Sequence, residues 1–180
     1  IVNNSFESSL TNWTKSVLGD AVYQVQTTNA QHGANCLMLS GNAQTATLYQ
    51  DVPVTAGATY TLGMWVQGDG TNSGRWSIID QTHGTPILNN YTCELTGAFW
   101  QYWSFAFPAQ NGCTTVRIVL MNSAPNSPAK FDAVGVRRCY DMTFSIWLHR
   151  LDDPTAVNRQ YVLDRLQDGT NRIWYISFAG

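Results

Sequence analysis

Short runs in which apolar and polar residues alternate, each closed by Gly, Pro, Asn or Asp, recur along the chain, whereas the three-to-four-residue spacing of an amphipathic helix is hard to find. The plainest run is residues 60–66, Tyr-Thr-Leu-Gly-Met-Trp-Val. A two-residue period sends Tyr60, Leu62, Met64 and Val66 to one side and Thr61, Gly63 and Trp65 to the other. Similar runs occupy residues 21–26, 36–40, 47–52, 75–80, 103–107, 115–121 and 130–137. Turn residues separate them, as in Thr55-Ala56-Gly57-Ala58 and the glycine-rich stretch 68–74. The pattern predicts an all-β fold, a two-sheet antiparallel β-sandwich of the jelly-roll kind.

Beyond Arg138 the texture changes. Arg137, Arg138, Arg150, Arg159, Arg165 and Arg172 are six of the ten basic residues. We place a boundary near Cys139, with a sandwich over 1–138 and a β-rich extension over 139–180. The extension reads as three strands at 142–151, 160–165 and 172–178, parted by Asp152-Asp153-Pro154 and by residues 167–171. Three strands do not build a sandwich of their own. The extension is therefore expected to be either an incomplete second domain or an element for homo-oligomer or larger assembly.

Composition narrows the function. Charged residues make up 12% of the chain and the net charge is -2, which leaves no basic field for nucleic acid. Thr, Asn, Gln, Ser and Gly fill the polar positions, which suits hydrogen bonding to polyols or close subunit packing. No apolar run reaches the roughly 18 residues of a membrane helix, so no membrane insertion is expected. Cys36, Cys93, Cys113 and Cys139 form no C-x-x-C pair; free buried thiols and a disulfide such as Cys113 with Cys139 both stay open. Glu7 and Glu94 are the only glutamates, and His32, His83 and His149 lack a G-x-S-x-G elbow or a recognisable cysteine partner. The chain is not expected to be an enzyme.

The opening Val2-Asn3-Asn4-Ser5-Phe6-Glu7-Ser8, with Trp13 after it, resembles the start of a carbohydrate-binding module of the family 4/9/22 type. Further marks follow in order. They are Gln31-His32-Gly33-Ala34-Asn35, the stretch 48–54 with Gly57 and Tyr60, Met64-Trp65-Val66, Trp100-Gln101-Tyr102, and 131–136 (Phe-Asp-Ala-Val-Gly-Val). The resemblance covers residues 1–138 and implies a galactose-binding-like jelly roll. It also implies a structural calcium, with Glu7 and Asp132 as carboxylate ligands and backbone oxygens near Asn3 and Asn35. In the extension, residues 142–148, 164–165 and 172–178 resemble the start of a laminin-G or concanavalin-type lectin domain.

A sugar ring needs an exposed aromatic platform beside amide, guanidinium or hydroxyl partners. Alternation aims Trp65 outward, and likewise Tyr102 and Ser104 on one run and Arg117 on another. Trp76, just past the glycine-rich stretch, is expected at the cleft edge, with Gln50 as an amide contact. Ordinary core packing is the competing account of every aromatic here. Two functions are thus expected from the sequence. One is non-catalytic binding of a polysaccharide or glycan through Trp65, Trp76, Tyr102, Gln50 and Arg117. The other is a structural assembly role, as a phage capsid, decoration or tail component or an extracellular filament subunit. Either places the protein outside a cell or on a virion.

Overall fold

A computed structural model of the chain describes residues 1–16, 19–41, 43, 45–92, 96–139, 144–148 and 159–163. The strands are β1 (Thr14–Lys15), β2 (Ala21–Gln26), β3 (Cys36–Gly41), β4 (Thr47–Pro53), β5 (Thr59–Gln67), β6 (Gly74–Asp80), β7 (Thr85–Thr92), β8 (Gln101–Pro108), β9 (Thr115–Asn122), β10 (Ala129–Arg138), β11 (Phe144–Leu148) and β12 (Arg159–Leu163). There is no helix among the described residues. One five-stranded sheet runs β1-β4-β9-β6-β7 and the other β2-β3-β10-β5-β8. Every pairing is antiparallel. The fold is a two-sheet β-sandwich.

Two compact units divide the chain, Ile1–Arg138 and Cys139–Gly180. In the second, β11 pairs with β12, Ile146 standing opposite Tyr161. The third strand expected there, 172–178, lies outside the described residues.

The first unit adds β1 and β7 to the eight strands read from the sequence. β7 escaped the pattern because Pro86 and the Asn89-Asn90 pair look like turn residues. It is the edge strand of its sheet, where a proline does not break a ladder on both sides. Its register with β6 slips twice, between Trp76 and Ile78 and between Ile78 and Ile79.

The core lies between the sheets. Leu62, Met64 and Val66 of β5 are fully buried, as are Ile118 and Leu120 of β9, Leu37 and Leu39 of β3, and Phe131 of β10. Trp76 belongs here too, with no exposure at all, which corrects its expected place at a cleft edge. Alternation along β6 puts it on the face of Ile78, and its ring lies 4.3 Å from Trp103, 5.5 Å from Tyr91 and 6.5 Å from Phe131, centroid to centroid. Enclosing an indole removes at least about 150 Å² from water. At roughly 25 cal/mol per Å² that is on the order of 4 kcal/mol toward folding, offset in part by the buried indole N–H, which has no hydrogen-bond partner among the described residues.

Gln50 is likewise corrected. On β4 it shares the inward face of Leu48 and Val52. Its amide clasps the amino-terminal segment: the Val2 N–H donates to Oε1 at 2.7 Å and Nε2 donates to the Val2 carbonyl at 3.0 Å. Buried on the inward face with both amide atoms bonded to backbone, it is turned away from the outer surface where a ligand would lie.

Cys36 and Cys113 carry free thiols, so the Cys113–Cys139 pairing is not formed. Burial pushes the Cys36 and Cys113 thiols up, which keeps both protonated and unreactive.

Candidate functional site

On the outer face of the second sheet, β5, β8 and β10 form the floor of an open groove of about 420 Å³. Trp65 and Tyr102 stand directly opposite each other across β5 and β8. Their ring centroids are 5.4 Å apart at an interplanar angle of 63°, the edge-on geometry that aromatic quadrupoles favour. Tyr102 is 55% exposed, one of the few large apolar side chains left open to solvent.

Two facing glycines, Gly63 of β5 and Gly135 of β10, give the groove a floor without side chains. They do so for different reasons. A methyl on Gly63 would collide with the Tyr102 hydroxyl, so glycine is what lets the phenol lie across the strand. A methyl on Gly135 would meet nothing within 4 Å. Glycine weakens a strand and often marks where something else approaches the backbone closely. Farther along, Thr61 faces Arg137, whose exposed guanidinium ends the groove.

A β-bulge shapes the other end. The β10–β5 register shifts between Asp132 and Gly135, and Ala133 takes a left-handed φ of 48°. Bulges re-aim side chains in this way beside sites. Asp132 faces Trp65 in register yet is completely buried, because the turn Gln31-His32 lies over it. Its Oδ2 accepts the N–H groups of Gln31 and His32 at 2.8 and 2.7 Å, and its Oδ1 accepts that of Ala133 at 2.6 Å. Burial pushes the Asp132 carboxyl above the usual range, while the His32, Ala133 and Gln31 donors pull the other way.

Glu7 holds the next part of the same turn. Its Oε1 accepts from the backbone of Ala34 and Asn35 at 2.9 and 3.0 Å, and its Oε2 from the Asn35 amide at 3.3 Å. Gly33, at φ 74°, lies against the Glu7 carboxylate, where any side chain would clash. Pinned by these two acids, the turn brings His32 to the groove rim, with its Nδ1 3.1 Å from the Ser5 hydroxyl.

These contacts bear on the calcium expected at Glu7, Asp132, Asn3 and Asn35. Calcium takes six to eight oxygen donors. Here three N–H groups already point at each carboxylate. The Asn3 carbonyl accepts from Phe6 and the Trp13 indole, and its amide is spent on Ser8, Ser9 and Thr11. Among the described residues no cluster of three or more His, Cys, Asp or Glu could hold a metal. The donor set as arranged does not fit the ion.

Arg117 is on the opposite sheet of the sandwich from Trp65. It projects from β9 on the outer face of the first sheet, where Nε and Nη2 donate to Asp51 at 2.7 and 2.8 Å. Its guanidinium carbon lies 3.8 Å from the centre of the Tyr49 ring. The Asp51 carboxylate holds the Arg117 group above its ordinary value. Of the five residues expected to share a sugar cleft, the structure brings together Trp65 and Tyr102. Gly135, Arg137, His32, Ala133 and Asn4, which also line the groove, were not among the sugar contacts expected from the sequence.

No family model and no curated protein sequence matches the chain. Solved structures do. A family 16 carbohydrate-binding module superposes with a TM-score of 0.58 at 22% identity, over 76% of this chain and 98% of that one. The CBM22-1 xylan-binding domain of Paenibacillus barcinonensis Xyn10C gives 0.59 at 15% identity, over 75% and 91%. The enzymatically active domain of tailspike protein 4 of bacteriophage CBA120 gives 0.63 at 17% identity, over 77% of this chain but only 21% of that one. The chain thus spans about a fifth of the tailspike domain. At these identities the likeness is one of fold, a two-sheet jelly roll shared with these carbohydrate-binding modules.

Proposed function

We propose that the first unit binds a glycan chain, without cleaving it, along the groove over β5, β8 and β10. One observation carries the reading. An exposed Tyr102, braced edge-on by Trp65, lies across Gly63 beside a floor left bare at Gly135. An aromatic edge gives the C–H face of a sugar something apolar to cover, and the bare floor admits the ring. Fold-mates whose names describe carbohydrate-binding and xylan-binding modules support the same assignment.

A glycosidase needs two placed carboxylates, and none is among the described residues that line the groove. The reading proposed here is one of binding without cleavage. Such a module works where polysaccharide is met, outside a cell or on a virion.

A glycan array followed by titration calorimetry tests it, with Trp65→Ala as the variant. Binding at the groove predicts at least one ligand whose affinity falls about tenfold or more in the variant while the thermal melt stays cooperative. A chain that forms a high-order assembly by native mass spectrometry and leaves every glycan untouched would replace this reading with the structural one.

A further inference from the structure

We propose, resting on the glycan-binding reading, that the groove selects acidic polysaccharides of the uronic-acid class, with Arg137 as the residue that pairs with the sugar carboxylate. The arginines of the first sheet have partners: Arg117 is satisfied by Asp51, and Arg75 donates to the Ser123 carbonyl at 3.1 Å. Arg137 is exposed, lines the groove, and makes no hydrogen bond or ion pair among the described residues. No carboxylate from the described residues joins it in the lining. The acid on its own strand, Asp132, is buried with its oxygens turned to backbone N–H groups.

A guanidinium offers a planar fork of donors that matches a carboxylate in two parallel bonds, and a sugar hydroxyl satisfies it less well. Its position also sets the kind of ligand. Arg137 faces Thr61, four residues along β5 from Trp65, a separation of about 13 Å. The aromatic pair and the guanidinium therefore meet different sugars of one chain, which calls for an oligomer or polymer. Gly135 keeps the space between them open.

The test is titration calorimetry of the full chain against polygalacturonate and alginate, each beside its ester, in which the same backbone has its carboxylates capped. Xylan and galactan serve as neutral polymers and a sulfated galactan as a second anion. Wild-type protein should bind at least one acid polymer about fivefold more tightly than its ester, the size expected of one well-formed but solvent-exposed pair. Arg137→Gln should erase that preference, added salt should shrink it, and Trp65→Ala should weaken acid and ester alike.

Equal binding of acid and ester, with xylan or galactan held in a Trp65-dependent way, overturns the acidic class and leaves the glycan reading standing. Retention of none of these polymers overturns the acidic class, and the glycan array then decides the wider glycan reading. Acid-polymer affinity that does not fall in Trp65→Ala, or a stronger hold on sulfated galactan than on either uronate, also overturns the assignment to this groove and this group.

Discussion

Gly135→Val isolates the groove from the fold. The floor at Gly135 has no atom within 4 Å of where a Cβ would sit, and its backbone is not left-handed, so the chain itself has room for the new side chain. Replacing glycine inside a strand relieves an entropic cost of about 0.5–1 kcal/mol, and valine is a good strand former. For a chain of this size the melting temperature should stay level or rise by roughly 2–4 °C. A ligand meets the opposite effect, because the two added methyl groups occupy the space a sugar ring would take beside Trp65 and Tyr102. Misfits of this size cost about 1–3 kcal/mol, so affinity should drop about tenfold or more. Differential scanning calorimetry and glycan titration on the same sample read both numbers. Unchanged affinity with an intact melt would mean that ligands do not enter the groove. A large loss of stability would instead mean that the floor is not open.

Arg117→Ala should leave glycan affinity within about twofold of wild type, since its pairing with Asp51 and Tyr49 lies on the other sheet; a loss seen by titration would relocate the site. A chelator should shift neither the melting temperature nor glycan affinity, because N–H donors already meet the Glu7 and Asp132 carboxylates; a drop of several degrees with EDTA would show that an oxygen shell forms there after all. Asp80 is desolvated, but bonds from the ring and backbone of His83 more than offset this and hold its carboxyl below the usual range. Its contribution is present above the ordinary carboxylate value and is lost as pH falls through the depressed one. Asp80→Asn should therefore be less stable near neutral pH, and the gap to wild type should close as acid is added, as followed by melting temperature against pH.

The alternation of residues along the strands was enough to read the sandwich, because it reports directly which side chains face inward. Residues 60–66 behave that way, with Leu62, Met64 and Val66 buried and Trp65 at the groove. What alternation does not carry is the identity of the sheet on which an outward side chain stands. Arg117 and Trp65 both point outward, yet β9 and β5 belong to different layers, so they share no surface. Trp76 and Gln50 erred in the other direction: the same rule puts them beside Ile78 and Leu48, inside, and proximity to a loop or the polarity of an amide outweighed it. Glycines of the groove were readable only in part. A glycine within a strand is a cue to close approach, but only the pairing of β5 with β10 sets Gly63 opposite Gly135.

The turn at 31–35 is fastened from both directions along the chain, by Glu7 before it and by Asp132 a hundred residues after it. No fragment shorter than residues 7–132 carries both fasteners, so a piece ending ahead of β10 would keep the aromatic pair but lack the rim that frames it. Ligand capture is thereby made a property of the whole unit, and recovery of binding during refolding should lag behind the appearance of sheet, arriving only when the last strand of the sandwich slots into place.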